Sequence, residues 1–363
     1  MSRSVRSAGF GGAILISLGL LVGVGFLRTH GWDQQLICDG NRLLMATGNP
    51  YSMSELSALT GQNLSIPYLP IWLPLLAIPC GLDTWIIQGS ILLMGLWMSL
   101  LILRQESTST STPWMSVAAL IVGGFGGVAW NFRSGNFGLL EWVGLLAVVW
   151  IWSRTNRAGI SGFLLGIFSS LKLLPALYSV LPLFVVYLIE DRKTPHFLEA
   201  RRSAFRFFLG AMVGLAVMIS LSALIFPAAF SNYMASFQAD SVPKGAHLAW
   251  RETLPDHNSP TPFLGVMYFV EGLLGVSGGI GRILAWVGIV CVGALMTWGA
   301  LRKTRLSIKQ KGLIAAFVLF FLMPRIKPYA FVALLIPAVG LLPSARMSLR
   351  RELLFWGLTL GVP

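Results

Sequence analysis

FFLGAMVGLAVMISLSALIF, residues 207–226, runs for 20 residues without a charge. A helix rises about 1.5 Å per residue, so this stretch alone matches the roughly 30 Å hydrocarbon core of a bilayer. Similar runs recur along the chain, at roughly 8–27, 83–103, 114–129, 137–152, 158–171, 173–189, 204–226, 281–300, 312–324, 329–342 and from about 352. Their apolar residues are continuous rather than alternating, which selects helices over a closed barrel. Of the 363 residues, 55% are hydrophobic and 11% charged. Soluble domains carry about 25% charged residues, so this chain lacks the polar surface to face water. The reading is an all-α polytopic membrane protein, one integral membrane domain over 1–363 with about ten or eleven transmembrane helices. The run from about 352 is too short for a full crossing and is expected to be incomplete.

The formal net charge of +13 points to nucleic acid only if the cations share a folded surface. Here they punctuate the apolar runs. With the N-terminus in the cytoplasm, the cytoplasmic ends collect Arg3, Arg6, Arg104, Arg154, Arg157, the cluster Arg192 to Arg206, the cluster Arg302 to Lys311, and Arg346, Arg350 and Arg351. That is 18 of the 27 basic residues, with 9 outside, the bias that positive-inside topology demands. The same orientation treats PYLPIWLPLLAIPC, 67–80, as a broken helix on the outer membrane surface, because four prolines and its short length suit no crossing. Two long outer loops result, 28–82 with juxtamembrane helices and 227–280, both expected to lie against the membrane. Cys38, Cys80 and Cys291 have no metal-ligand spacing and say nothing of redox compartment.

GWDQQLICDGNRLLMATGNPY, 31–51, follows the first run. It reads as a short amphipathic helix, with Asp33 as N-cap, apolar positions at Leu36, Ile37, Leu43 and Leu44, and an end at Gly48 with Asn49-Pro50. On that reading alone Asp33 is a cap and Asp39 a solvated residue. The segment also resembles polyprenyl-phosphate-dependent glycosyltransferases of the GT-C superfamily, and glycosyltransferase family 87 within it. The resembling residues are Asp33, Ala46, Gly48, Asn49, Pro50 and Tyr51, while Gln34, Gln35 and Leu36 replace the family's aromatics. Tyr68-Leu69-Pro70 resembles its Tyr-Pro-Pro segment. Arg133-Ser134-Gly135-Asn136 resembles its Gly-Gln-Val-Asn turn, the Gly-rich run 159–184 with Lys172 and Pro175 its Lys-x-x-Pro segment, and MPRIKPY, 323–329, a Pro-Arg-x-Lys-x-Tyr segment.

The resemblance implies a GT-C-like bundle that moves a mannose- or arabinofuranose-type sugar from a polyprenyl phosphate to a lipid or polysaccharide acceptor. Transfer would take place on the outer face of the cell membrane and invert the anomeric centre. Such a reaction needs a base for the acceptor hydroxyl and cations for the leaving phosphate. Asp33 is the expected base, since a partly desolvated carboxylate at the membrane face has a raised pKa. Asp39, six residues on and across the helix, is the second choice. Lys172, Arg133, Arg325 and Lys327 are the expected phosphate partners. Lys172 breaks an apolar run, as either a cavity-facing or a snorkelling lysine. Arg325 and Lys327 suit a doubly charged phosphate or a plain interfacial anchor.

Tyr51, Asn49, Arg251 and His257 are candidates for sugar or acceptor contacts. His257 reads equally as an ordinary loop residue, and the aromatics as an interfacial belt. Glu141, inside the run from Phe137, is costly there without a partner. No Asp-x-Asp pair exists, which argues against a soluble-type nucleotide-sugar enzyme, and fixed cations can neutralise a phosphodiester. No metal or other cofactor is therefore expected. The alternative is a transporter or lipid-linked sugar flippase, whose signature would be ionisable residues at mid-span. A structural membrane subunit is a third reading, against which the polar and aromatic content of the outer loops speaks.

Overall fold

The computed structural model describes residues 31–61, 66–106, 125–155, 157–172, 174–189, 197–238, 279–302, 304 and 308–322. Among these residues every regular element is helical and no strand occurs. In chain order the helices are α1 (Trp32–Thr47), α2 (Met53–Thr60), α3 (Trp72–Ala77), α4 (Thr84–Glu106), α5 (Phe125–Ser134), α6 (Gly138–Thr155) and α7 (Ala158–Ser169). They continue as α8 (Leu181–Phe184), α9 (Phe197–Ile225), α10 (Pro227–Gln238), α11 (Gly279–Arg302) and α12 (Ile308–Phe321). The expected crossings at 8–27, at 329–342 and from about 352 lie outside the described residues, as do most of 114–129 and of the loop 227–280. Two compact units are present: residues 31–34 with 82–155, and residues 35–81 with 157–322.

In the first unit α4 and α6 pack closely because Gly95 has no side chain: a Cβ there would enter the ring of Trp142, which is fully buried. Glu141, expected inside a crossing, lies in the first turn of α6, where the helix dipole favours a carboxylate.

The second unit is organised around α7 and α9. Gly162 and Gly166 on α7 face the backbone of Phe207 and Ala211 on α9, and Gly210 and Gly214 on α9 face the backbone of Gly159 and Phe163 on α7. Glycines four apart on both helices let the backbones touch, the way helices associate where lipid removes the hydrophobic drive. Contacts advance in the same direction on both, so α7 and α9 run parallel and the chain must return between them. That return was expected as one regular helix over 173–189. It is instead a 3₁₀ helix (Leu174–Val180), α8, and a π-helix (Val185–Ile189). Pro175 and Pro182 remove donors that a continuous α-helix needs. Val185 and Ile189 nevertheless pack with Leu301 and Ala315 in a buried cluster.

Helix α9 starts at Phe197, earlier than expected, so Arg201, Arg202 and Arg206 project from its first turns and are exposed. α12 likewise takes in Lys309 and Lys311, expected in a loop, and Lys311 is buried. Among the described residues α9 is the helix that is by itself long and apolar enough to cross a membrane, and most of its apolar window is uncovered by protein. Leu209, Val213, Val217, Leu221 and Leu224 are exposed along it, a surface that suits lipid and not water. Ala158–Ser169, Pro175–Ile189 and Trp286–Arg302 are shorter apolar helices.

Gly162→Leu is expected to cost about 3 kcal/mol or more by forcing α7 off α9, read as a lowered Tm in detergent. Gly288→Leu, where an added Cβ meets nothing within 4 Å among the described residues, is the control and leaves Tm in place. Equal behaviour of the two variants would refute the close-contact account.

Candidate functional site

The turn between α5 and α6 is written by three residues. Ser134 ends α5, Gly135 takes a left-handed φ of 69° and Asn136 stands two residues before the start of α6. The Gly135 N–H donates to Asn131 O at 2.9 Å, closing α5, while the Asn136 N–H donates to Ser134 Oγ at 3.1 Å. Asn136 Oδ1 then accepts from the Gly138 N–H at 2.9 Å, an N-cap on α6. The Asn131 side chain, Oδ1, accepts from the Leu139 N–H at 3.2 Å. Gly135 is required twice over, for its φ and because a Cβ would stand 2.8 Å from Gln34 Cβ.

Against this turn rests the start of α1. A Cβ on Gly31 would land on the backbone of Ser134 and Gly135. The Gly31 N–H donates to Thr84 Oγ1 at 2.9 Å, Thr84 Oγ1 donates to Gln34 Oε1, and Gln34 Nε2 donates to Leu82 O at 3.0 Å. The first turn of α1 is thus tied on two sides, and Asp33 sits within it. Asp33 was expected as the N-cap, but the helix already begins at Trp32. Its Oδ2 instead accepts from Asn136 Nδ2 at 2.8 Å, across 103 residues of sequence. Gln88 Nε2 donates to Asn136 O at 2.9 Å, and Gln88 Oε1 is buried with no protein partner among the described residues.

Arg133 belongs to the same place. It is exposed in the last turn of α5, with its guanidinium 5.0 Å from the centroid of the Trp130 ring. Trp130 in turn meets Trp32 edge-on at 6.2 Å, and Trp32 is the neighbour of Asp33. A cation stacked on an indole is held without a carboxylate to neutralise it. The structure therefore brings Asp33, Asn136 and Arg133 into one unit, through contacts of their own or of adjacent side chains.

The remaining expected residues are elsewhere. Asp39, Asn49, Tyr51 and Lys172 belong to the second unit. Asp39 is buried and paired with the exposed Arg42, Nη1 to Oδ1 at 2.7 Å. Asn49 Oδ1 accepts from the Tyr51 N–H at 3.2 Å and fixes the turn after α1. Tyr51 donates its hydroxyl to Tyr68 O at 2.7 Å and packs on Tyr233, ring centroids 5.3 Å apart. Burial, then the neighbouring Tyr233, push the Tyr51 phenol well above its ordinary range, and burial alone pushes Tyr233 up to about 12. Both stay neutral at physiological pH. Lys172 lies in the break between α7 and the 3₁₀ helix, at a helix end. Arg251, His257, Arg325 and Lys327 lie outside the described residues. No three His, Cys, Asp or Glu side chains among the described residues converge as a metal-holding set.

Two linkages were not foreseen. Cys38 on α1 is disulfide-bonded to Cys80 in the 3₁₀ turn Ile78–Gly81, which overturns the view that the cysteines carry no message. α3 is tied to the ends of the parallel helices: Trp72 Nε1 donates to Ser170 Oγ at 2.9 Å, and the Ile71 N–H to Ser222 Oγ at 3.2 Å. The sequence held one signal for the turn, a Gly-Asn pair just ahead of a long apolar run. It held none for the partner that Asn would reach.

The sequence model of Glycosyltransferase family 87 matches residues 65–324, more than half of the chain. The chain belongs to glycosyltransferase family 87. It is a glycosyltransferase, and the transporter reading is set aside. No curated protein and no solved structure matches it. The family 87 match takes in Tyr68, Arg133, Asn136 and Lys172 but begins after Asp33. A hydrogen bond to Asn136 ties Asp33 to the matched region.

Proposed function

We propose that this family 87 enzyme transfers a mannose- or arabinofuranose-type sugar from a polyprenyl phosphate to a hydroxyl of a lipid or polysaccharide acceptor. Asp33 is its general base. The observation that carries the reading is the Asp33 carboxylate, held by Asn136 in the unit that also presents Arg133 on Trp130. A carboxylate with a fixed orientation and a nearby cation is what the step requires. Asp33 takes the acceptor proton, the acceptor oxygen attacks the anomeric carbon from the far side, and the bond from that carbon to the phosphate oxygen breaks. The configuration inverts and the polyprenyl phosphate leaves with one more negative charge.

Because that charge grows as the bond breaks, a fixed cation favours the transition state over the bound donor. Arg133 is assigned to this role in the unit that holds Asp33; Lys172, Arg325 and Lys327 are further phosphate partners assigned from the sequence alone, and no metal is needed. Asp39 with Arg42 is assigned to orienting the acceptor, and Arg251 and His257 are assigned to acceptor contacts from the sequence alone.

The site faces outward in a multi-pass integral membrane domain of the GT-C-like kind, N-terminus cytoplasmic. Two independent features support that orientation. Disulfides persist in oxidising compartments, and Cys38–Cys80 clips the segment to which the outer face is assigned. Arg157, Arg201, Arg202 and Arg206 gather at the starts of α7 and α9, while Ser170 and Ser222, bound by α3, mark their other ends. Positive charge at the first end fits the cytoplasm.

The test is transfer by the protein in nanodiscs from labelled polyprenyl-phosphate mannose and polyprenyl-phosphate arabinofuranose into a membrane lipid extract. A labelled product of inverted anomeric configuration is expected from one of the two. A retained configuration, or no transfer while a nucleotide sugar is used, would defeat the reading.

A further inference from the structure

The geometry points to Asn136 as the residue that positions Asp33 and favours its charged form, an inference that rests on Asp33 being the base. An asparagine amide is ambiguous, since its oxygen and nitrogen exchange places on a half-turn. Here the ambiguity is removed. Oδ1 is committed to the Gly138 N–H at the start of α6, so the half-turn would set an NH₂ against an N–H. The nitrogen is left facing Asp33, and it donates to Oδ2 at 2.8 Å. The backbone on both sides is fixed as well, by Ser134 Oγ on the Asn136 N–H and by Gln88 Nε2 on the Asn136 carbonyl. Asn136 is buried and Asp33 half-buried, so the donor side of the contact is shielded while the carboxylate stays within reach of solvent.

Two consequences follow for a base. The carboxylate plane is set, with one oxygen engaged by Asn136. A donor that cannot become an acceptor also favours the charged carboxylate over the acid, which lowers its proton affinity. Loss of the donor must therefore raise the pKa of Asp33. The ionised fraction at a given pH falls, and the acid limb of kcat/KM moves to higher pH. A residue that merely capped α6 would move stability and leave that limb where it is.

The experiment compares wild type, Asn136→Ser, Asn136→Ala and Asp33→Asn, each as the full chain in nanodiscs. Serine keeps a cap acceptor for the Gly138 N–H but is too short to replace the amide donor, so the variant separates the two roles. Turnover of the labelled polyprenyl-phosphate donors is followed against pH. In parallel, pH-titrated infrared difference spectra, wild type minus Asp33→Asn, report the Asp33 carboxyl without needing any substrate. In Asn136→Ser, kcat is expected to fall about 100-fold with KM little changed. The infrared midpoint and the acid limb both rise by about one pH unit. Asn136→Ala moves them the same way and also lowers Tm.

An unmoved infrared midpoint in folded Asn136→Ser overturns the inference, whether or not a donor turns over. If Asp33→Asn keeps full turnover, the base reading fails while the infrared comparison still decides whether Asn136 governs that carboxyl. The two failures are thus distinguishable.

Discussion

Asp33→Asn lowers transfer by about 10³- to 10⁴-fold, the upper range for loss of a positioned base. At about 1.36 kcal/mol per factor of ten, that is roughly 4 to 5.5 kcal/mol of transition-state stabilisation. The fold does not share the loss. Asparagine still offers Asn136 Nδ2 a carbonyl oxygen where the carboxylate stood, and the ties of Gly31 and Gln34 to Thr84 and Leu82 do not involve Asp33. Tm and elution behaviour should therefore match wild type, with donor KM nearly unchanged because the base is asked for only as the bond forms. Turnover within tenfold of wild type would remove Asp33 from the mechanism. A collapse of Tm would make it a structural residue instead.

The second large effect concerns the bond between Cys38 and Cys80, which closes a stretch with a sequence separation of 42. In the chain-entropy account, opening a loop of that size costs about 4 kcal/mol. Cys38→Ser, or a reductant, should lower Tm accordingly and free α1 from the 3₁₀ turn after α3. The same bond reports orientation. In denatured protein without reductant only Cys291 of the 3 cysteines should take a maleimide. In intact cells, an impermeant reductant followed by an impermeant maleimide should label Cys38 and Cys80 from outside. Labelling of all three without reductant would show that the bond does not form, and labelling only after lysis would reverse the proposed topology.

The sequence carried more of the architecture than of the site. Helix α1 ends where Gly48 and Asn49-Pro50 place its end, and Leu36, Ile37, Leu43 and Leu44 are buried as their spacing requires. α4, α6, α7 and α11 lie within a few residues of the apolar runs that predicted them. Those features are local, and local pattern reports them. The errors share a different origin. Hydropathy over 173–189 cannot tell a regular helix from one that changes type around Pro175 and Pro182. Charge alone put Arg201 and Arg202 in a loop, although exposed arginines are at ease in the first turns of α9. The Cys38–Cys80 pairing and the Asp33–Asn136 hydrogen bond join residues far apart in sequence, and no spacing rule announces either. Asp33 was read as the N-cap, although the helix already begins at Trp32 and holds Asp33 in its first turn. Its partner was visible only as part of a turn.

The backbone from Leu174 to Ile189 has a consequence for biosynthesis. On the proposed threading it crosses the bilayer, yet its ladder of backbone bonds is interrupted where 3₁₀, α and π turns succeed one another and where Pro182 has no N–H to give, and lipid has no donors to offer. One of its carbonyls, Leu188 O, is taken by Trp298 Nε1 at 2.6 Å. The same stretch packs on Leu301 and Ala315. These partners lie more than a hundred residues downstream and emerge from the ribosome long after the stretch itself has reached the membrane. Integration of the middle of this chain is therefore finished by its last third, and a nascent chain paused between α9 and α11 holds a crossing that is still waiting for its partners.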